Sequence, residues 1–326
     1  MSKLVTVFGG SGFLGRYIVR RLAKEGCRVR VAVRRPNEAL HVRTYGHVGQ
    51  VVPVACNIRD DESVRDALRG ADGCVKCVGT FDLKGRNSFD AIHVEGAGRI
   101  ARLALEQGVR DMVHVSALGA AADGRSAYAR SKAAGEAEVV RHMPHAVILR
   151  PSVIFGHEDG FFNRFGSMAA RSPVLPIVGG QTLFQPVFVD DVAAVAARAA
   201  MGRVAPGTYE LGGPEVMTFR EIMEKMLHHT RRRRLIVSLP FWLGSLMGRG
   251  FDLGRTVTLG LASAPLTGDQ VESLRSHNVV APGATAFEAL GITPTAMDAV
   301  LPDYLWRFRP SGQYAALQES ARNLRT

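Results

Sequence analysis

Three side chains in this chain have the types and spacing that proton-coupled hydride chemistry needs: Ser116, Tyr128 and Lys132. Ser116 follows an apolar run in VHVSALGA, and Tyr128 and Lys132 stand four apart in AYARSKAAGE, on one face of a helix. A lysine beside a tyrosine favours the phenolate and lowers its pKa. The same lysine can hold a nicotinamide ribose while the serine hydroxyl orients a carbonyl, so together they make a proton-transfer device. A tyrosine–lysine pair can equally hold a nucleotide without any chemistry, and the spacing leaves both uses open.

A second constellation would deliver the hydride carrier. The stretch VTVFGGSGFLGRYIV runs from Val5 to Val19. Its apolar start reads as a buried strand, and from Phe13 the apolar residues Phe13, Leu14, Tyr17, Ile18 and Leu22 recur at helical spacing. Between them lie Gly9, Gly12 and Gly15. Glycines there permit a tight turn and let backbone approach a pyrophosphate. The helix start at Phe13 and Leu14 offers free N–H groups and the positive end of its dipole. A glycine pattern that follows a strand, opens a helix and starts the chain predicts dinucleotide binding.

The elements that must position these residues alternate through the first part of the chain. Strands are expected at Arg28 to Val33, Val51 to Ala55, Gly73 to Val78, Asp111 to Val115 and Ala146 to Leu149. Helices are expected at Phe13 to Lys24, after Asn37, at Asp60 to Leu68, Phe89 to Gln107 and Tyr128 to His142. This alternation predicts an α/β fold: a Rossmann-type, doubly wound parallel sheet with helices on both faces. Ligands bind at the carboxyl ends of such strands, which brings Gly79 and Pro151 beside the site. The second strand ends Val33-Arg34-Arg35, where an NAD site usually carries an acid for the ribose 2′-hydroxyl. A guanidinium instead pairs with a 2′-phosphate, so Arg34 and Arg35, with Arg16 beside Gly15, point to NADPH.

Composition bounds the rest. The 326 residues are 46% hydrophobic and 22% charged, as in a globular protein. Cys27, Cys56, Cys74 and Cys77 are scattered, and Cys74 and Cys77 sit in the strand-like run GCVKCVG, so they are expected as core thiols rather than a metal or redox pair. No metal site is expected. The first strand begins within a few residues of Met1, leaving no room for a signal peptide, and no apolar stretch reaches the ~20 residues a bilayer span needs. The net charge of +11 suits an anionic partner or a merely basic surface.

GGSGFLG, the Ser116 position, Tyr128-x-x-x-Lys132 and FVDDVAAVAARA at Phe188 to Ala199 together resemble the extended short-chain dehydrogenase/reductases. GFLGRYIVRRL, YARSKAAGEAEVV, LRPSVIFGHEDGFFNRF and FQPVFVDDV are similar to the atypical branch that includes the NADPH-binding accessory subunit of respiratory complex I. That resemblance implies a tightly bound NADPH off the electron path, other complex I subunits as partners, and Gly9, Gly12, Gly15, Arg34 and Lys132 as cofactor ligands. It also implies a peripheral position on the cytoplasmic side of a bacterial inner membrane. Active family members add an asparagine in the helix after strand four, where this chain has only Asn87 at the helix entrance. The alternative is an NADP-dependent reductase, epimerase or dehydratase of the same family, acting in quinone metabolism, with Ser116, Tyr128 and Lys132 catalytic.

Beyond Pro151 the alternation stops. The nucleotide domain is expected at 1–155 with 184–214 returning to it, a smaller domain at 156–183 and 215–310, and a tail at 311–326. Phe161, Phe162 and Phe165 are expected in the core of the smaller domain, Asp190 and Asp191 at the start of a helix to Ala200, and Gly207 to Leu211 as a strand. Thr218 with Glu221 forms a capping-box pattern, and Met297 to Arg309 reads as an amphipathic helix. Arg231 to Arg234 precedes the apolar stretch Phe241 to Leu261, so the Arg231–Leu261 region is expected to meet a membrane surface or anionic lipid. No aromatic pattern accompanies the arginines, and nucleic acid is not an expected partner.

Overall fold

The computed structural model describes residues 2–80, 85–246 and 267–314. The chain divides into two compact units. The first comprises Met1–Ser152, Val189–Gly212 and Val280–Pro294; the second comprises Val153–Phe188, Gly213–Val279 and Thr295–Thr326.

The first unit is a parallel sheet between helical layers. In chain order it contains β1 (Leu4–Phe8), α1 (Phe13–Lys24), β2 (Arg28–Val33), β3 (Val51–Ala55), α2 (Asp61–Leu68) and β4 (Gly73–Lys76). Then follow α3 (Gly96–Glu106), β5 (Asp111–Val115), α4 (Ala127–His142) and β6 (Val147–Pro151). The seven strands are ordered β11-β6-β5-β4-β1-β2-β3, with β11 (Gly207–Leu211) closing one edge. All pairings in this sheet are parallel. The order reverses between β1 and β4, which opens a crevice at their carboxyl ends.

Strand residues alternate between two cores. Phe8, Cys74, Met112 and Ile148 pack with α2, α3 and α4 in one apolar cluster. On the other face α6 (Val189–Ala200) lies against α1, and Arg21 grips Asp190 through two 2.8 Å bonds. The run of alanines in α6 lets it pack closely, with Ala193, Ala196 and Ala200 fully buried.

One expected helix is interrupted. Instead of a single helix from Phe89 to Gln107, Asp90–Glu95 winds as a wider π turn before α3 begins. The wider turn buries both Ile92 and His93 and carries the His93 carbonyl toward α4. Only glycine fits opposite: a Cβ on Gly135 would stand 2.2 Å from that oxygen.

The second unit holds β7 (Ile154–Phe155), α5 (Phe162–Arg171), β8 (Val174–Val178), β9 (Leu183–Phe184), β10 (Val187–Phe188), β12 (Met217–Thr218), α7 (Phe219–His229) and β13 (Leu235–Leu239). Among its described residues these strands form three sheets of two strands each. Phe162 is fully buried, and Phe161 and Phe165 pack around it with Phe219 and Phe184, as expected of a core. Thr218 and Glu221 make the expected capping box on α7. The helix expected at Met297 to Arg309 is shorter: Met297–Leu305 is α-helical and Trp306–Phe308 tightens to a 3₁₀ turn.

The segment 280–294 belongs to the sheet unit, whereas the sequence placed it in the smaller domain. Polar contacts to the edge strand hold it there. Glu210 N–H donates to the Thr285 carbonyl at 2.9 Å, and the Glu210 carboxylate accepts from Ala281 N–H at 2.9 Å. Most of the apolar stretch expected at Phe241 to Leu261 lies outside the described residues, as does most of the tail.

Candidate functional site

At the carboxyl ends of β1, β2, β3 and β4 lies a cleft of about 480 Å³. Local chain chemistry explains its shape. Gly9 takes φ +84°, which an L side chain rarely adopts, and a Cβ on Gly15 would come within 2.2 Å of the Gly9 carbonyl. The turn therefore folds tightly over the first turn of α1, leaving the helix start facing the cleft. Ser11, Gly12, Phe13 and Leu14 line it on this side.

The far wall separates two residues that the sequence treated alike. Arg34 lines the cleft. Arg35 turns away and pairs with exposed Glu38 at 2.9 Å. A second cationic wall comes from Arg59, after β3, which the sequence reading missed. Arg59 is held in place by the Arg86 carbonyl, at 2.8 Å, and by Asn57. Among the described residues lining the cleft there is no Asp or Glu. Arg16 does not line it; its guanidinium donates to the Ser11 carbonyl at 3.3 Å and so braces the glycine turn. Gly79 and Asn87 also line it, with Asn57, Ile58, Cys77 and Thr80 among others.

The tyrosine–lysine end is built differently. Lys132 is buried, and its Nζ donates to the carbonyls of Val115 and Ser116 at 3.3 and 3.5 Å. It lies 5.7 Å from the centre of the Tyr128 ring. Phe89 and His93 pack against that ring at 5.8 and 5.7 Å. The sequence leads one to expect a depressed phenol pKa. Burial dominates instead and pushes Tyr128 up to about 12, while burial brings Lys132 down to about 8 against the opposing pull of Glu136.

His93 is the polar hub the sequence reading missed. Its Nε2 accepts the Thr80 N–H at 3.2 Å, which leaves Nδ1–H to donate to Ser131 Oγ at 2.9 Å. Burial, with help from Lys132 and Lys76, holds its pKa down at about 2, so the ring is neutral. Ser116 is buried and its Oγ has no hydrogen-bond partner among the described residues, which suits it to a polar ligand group. Pro151 does not line the cleft; it ends β6 and its carbonyl accepts the Leu118 N–H at 2.9 Å. The structure thus brings Ser116, after β5, together with Tyr128 and Lys132 on α4, and Gly9, Gly12, Phe13, Leu14, Arg34 and Gly79 to one cleft.

Known proteins share this fold. Residues 5–212 match the model of the NAD dependent epimerase/dehydratase family. The chain is 35% identical over 317 residues to the NADH dehydrogenase [ubiquinone] 1 alpha subcomplex subunit 9, mitochondrial, of Arabidopsis thaliana, covering 95% of this chain and 79% of the relative. It is 31% identical over 239 residues to a ceramide reductase of Caulobacter vibrioides, covering 73% and 74%. An NADPH-dependent quinone oxidoreductase from Escherichia coli, solved with NADPH, superposes with a TM-score of 0.71 at 17% identity over 92% of this chain and 98% of that one, a likeness of fold. With its parallel sheet, glycine turn and tyrosine–lysine pair, this chain belongs to the NAD dependent epimerase/dehydratase family, the extended short-chain dehydrogenase/reductases.

Proposed function

We propose that this chain is an accessory subunit of a respiratory NADH:quinone oxidoreductase and holds NADPH as a tight structural ligand. The observation that carries the reading is the 35% identity to a complex I subunit across 95% of the chain. The cofactor identity is supported by Arg34 and Arg59 in a cleft whose described lining has no carboxylate. Arg34 would take the 2′-phosphate, the glycine turn and the start of α1 the pyrophosphate, and Lys132 a ribose hydroxyl. Bound nicotinamide would supply a hydride. A high phenol pKa and a lysine engaged by two backbone carbonyls favour retention over turnover.

A ligand present at a thousand times its Kd stabilises the fold by about 4 kcal/mol, which makes the nucleotide a fitting structural element. No helix among the described residues is long and apolar enough to cross a membrane. Our reading puts the chain peripherally on the cytoplasmic face of a bacterial inner membrane; contact with a membrane surface is supported by exposed Leu235, Trp242 and Leu246, which follow the Arg231 to Arg234 run in sequence. That region would meet anionic lipid. The decisive experiment is a native gel of gently solubilised membranes probed for this chain. Migration with the assembled respiratory complex is expected; a small free species overturns the subunit reading.

A second reading is favoured by the 31% identity to a ceramide reductase and by the presence of Ser116, Tyr128 and Lys132. In it the chain is an NADP-dependent reductase or related enzyme. Oxidation of NADPH by the purified protein with a carbonyl, lipid or quinone substrate would establish it.

A further inference from the structure

One side chain of the cleft has every polar group but one engaged, and the group left over is a donor. Asn57 follows β3 and lines the cleft. Its backbone N–H donates to Ser63 Oγ at 2.9 Å, and its carbonyl accepts the Asp60 N–H at 3.0 Å. Its Oδ1 accepts from the Arg59 N–H at 3.2 Å and from Arg59 Nε at 3.3 Å. Both of those groups can only donate, so the amide oxygen, and not the amide nitrogen, must face them. Two donors fill the two lone pairs of that oxygen. The Arg59 guanidinium is itself held, through its bond to the Arg86 carbonyl at 2.8 Å. The Asn57 Nδ2 has no partner among the described residues.

Strand pairing sets this amide beside the end of β2. Val33 pairs with Ala55, and the Cys56 N–H donates to the Val33 carbonyl at 2.8 Å. Arg34 and Asn57 each stand one residue beyond that contact, on neighbouring strand ends, and both line the cleft. In a nucleotide whose 2′-phosphate meets Arg34, the base hangs from the adjacent ribose carbon. On this side of the cleft Cys56 and Ile58 offer apolar surface to a flat ring, and Asn57 offers a polar edge.

Adenine presents its exocyclic amine as a donor and its N7 as an acceptor. Hypoxanthine, its 6-oxo counterpart, presents an acceptor where adenine has the amine. We infer that Asn57, its oxygen held by Arg59, meets the base as a donor only, so that it does not read the 6-amino group of adenine. The inference rests on the nucleotide reading above and adds how the base is recognised. An Asn57 N–H can pair with a ring nitrogen of adenine or with the oxygen of hypoxanthine; facing the adenine amine, it would set donor against donor. A carboxylate at this position would act in the opposite sense, since one oxygen could stay with Arg59 while the other accepts from the amine.

The test is calorimetric titration of the nucleotide-free full chain, at pH 7, with NADPH and with reduced nicotinamide hypoxanthine dinucleotide phosphate. The two carry the same 2′-phosphate, pyrophosphate and reduced nicotinamide, so those contacts cancel in the ratio of affinities. The hypoxanthine form is expected to bind at least as tightly as NADPH, to within about threefold. In Asn57→Asp the ratio is expected to turn about tenfold toward NADPH, because the variant offers the amine an ionised acceptor. A residue that only shaped the loop would weaken both nucleotides alike and leave the ratio in place. A wild-type preference for NADPH above about threefold, or an Asn57→Asp ratio equal to that of the wild type, overturns the inference and leaves the nucleotide reading standing. Binding of neither nucleotide to the wild type overturns both. Where melting shows that Asn57→Asp does not fold, the wild-type ratio decides alone.

Discussion

The glycine-turn cleft and the tyrosine–lysine region solve opposite problems. The glycine-turn end is open, is lined by Arg34 and Arg59, and shapes backbone to receive phosphate. The tyrosine–lysine region is closed: Lys132 and Ser116 are buried, and Tyr128 is hemmed by Phe89 and His93. The first resembles a socket, exposed and complementary. The second spends stability on desolvated bases, which proteins retain where the local field matters. Presence of a tyrosine–lysine pair therefore says little about turnover until its surroundings are known.

The sharpest way to break this contrast is at the turn. Gly15→Val drives methyl groups into the Gly9 carbonyl and is expected to cost about 3 kcal/mol or more and to abolish nucleotide binding. Thermal melting with and without NADPH checks both, and a variant that still melts higher with NADPH would show that the turn is not the phosphate site. Acid should act on the other end. His93 has an ordinary pKa of 6.5 and a folded one of about 2, so the unfolded chain binds the extra proton and stability falls as pH drops below about 6.5. By pH 5 the loss from this group is about 2 kcal/mol. Comparing melting at pH 7 and pH 5, His93→Gln should show a shallower decline than wild type; equal slopes would remove His93 as the sensor.

Arg34→Ala is expected to weaken NADPH binding about tenfold while sparing NADH, as a lost charge-assisted pair with a 2′-phosphate should. Equal losses for both nucleotides would move the phosphate contact elsewhere. Tyr128→Phe is expected to leave nucleotide content and assembly intact, checked by cofactor release and native gel. Loss of respiration with assembly preserved would instead make the phenol a working acid. The smallest effect is expected of Arg35→Ala, because the Arg35–Glu38 pair is exposed and such pairs contribute little.

Much of this was legible from residue order. The strands at Val51 to Ala55, Asp111 to Val115 and Gly207 to Leu211 have the expected bounds, because apolar runs between turn residues leave few other options. The capping box at Thr218 is local chemistry and was equally readable. What failed to read depends on distant neighbours. Arg34 and Arg35 are adjacent and identical, and only the Glu38 contact tells them apart. Arg59 reaches the cleft because β3 pairs with β2, a fact carried by topology. His93 sits in a helical pattern that does not announce a π turn. Lys76, inside the run GCVKCVG, would by type be placed in solvent, yet the sheet buries it completely. The phenol of Tyr128 was misjudged because the pull of a lysine is visible in sequence and the depth of burial is not.

The edge strand β11 has a consequence for synthesis. It pairs with β6 across residues Gly207–Leu211, some sixty positions after β6 is made. A nascent chain leaving the ribosome N-terminus first must hold β6 unpaired on one side while the whole of α5 and the intervening strands emerge. Until residue 211 is free, that strand offers its open backbone to any passing chain, as unprotected edges do. Translation that stalls in this interval is expected to yield fragments prone to aggregate.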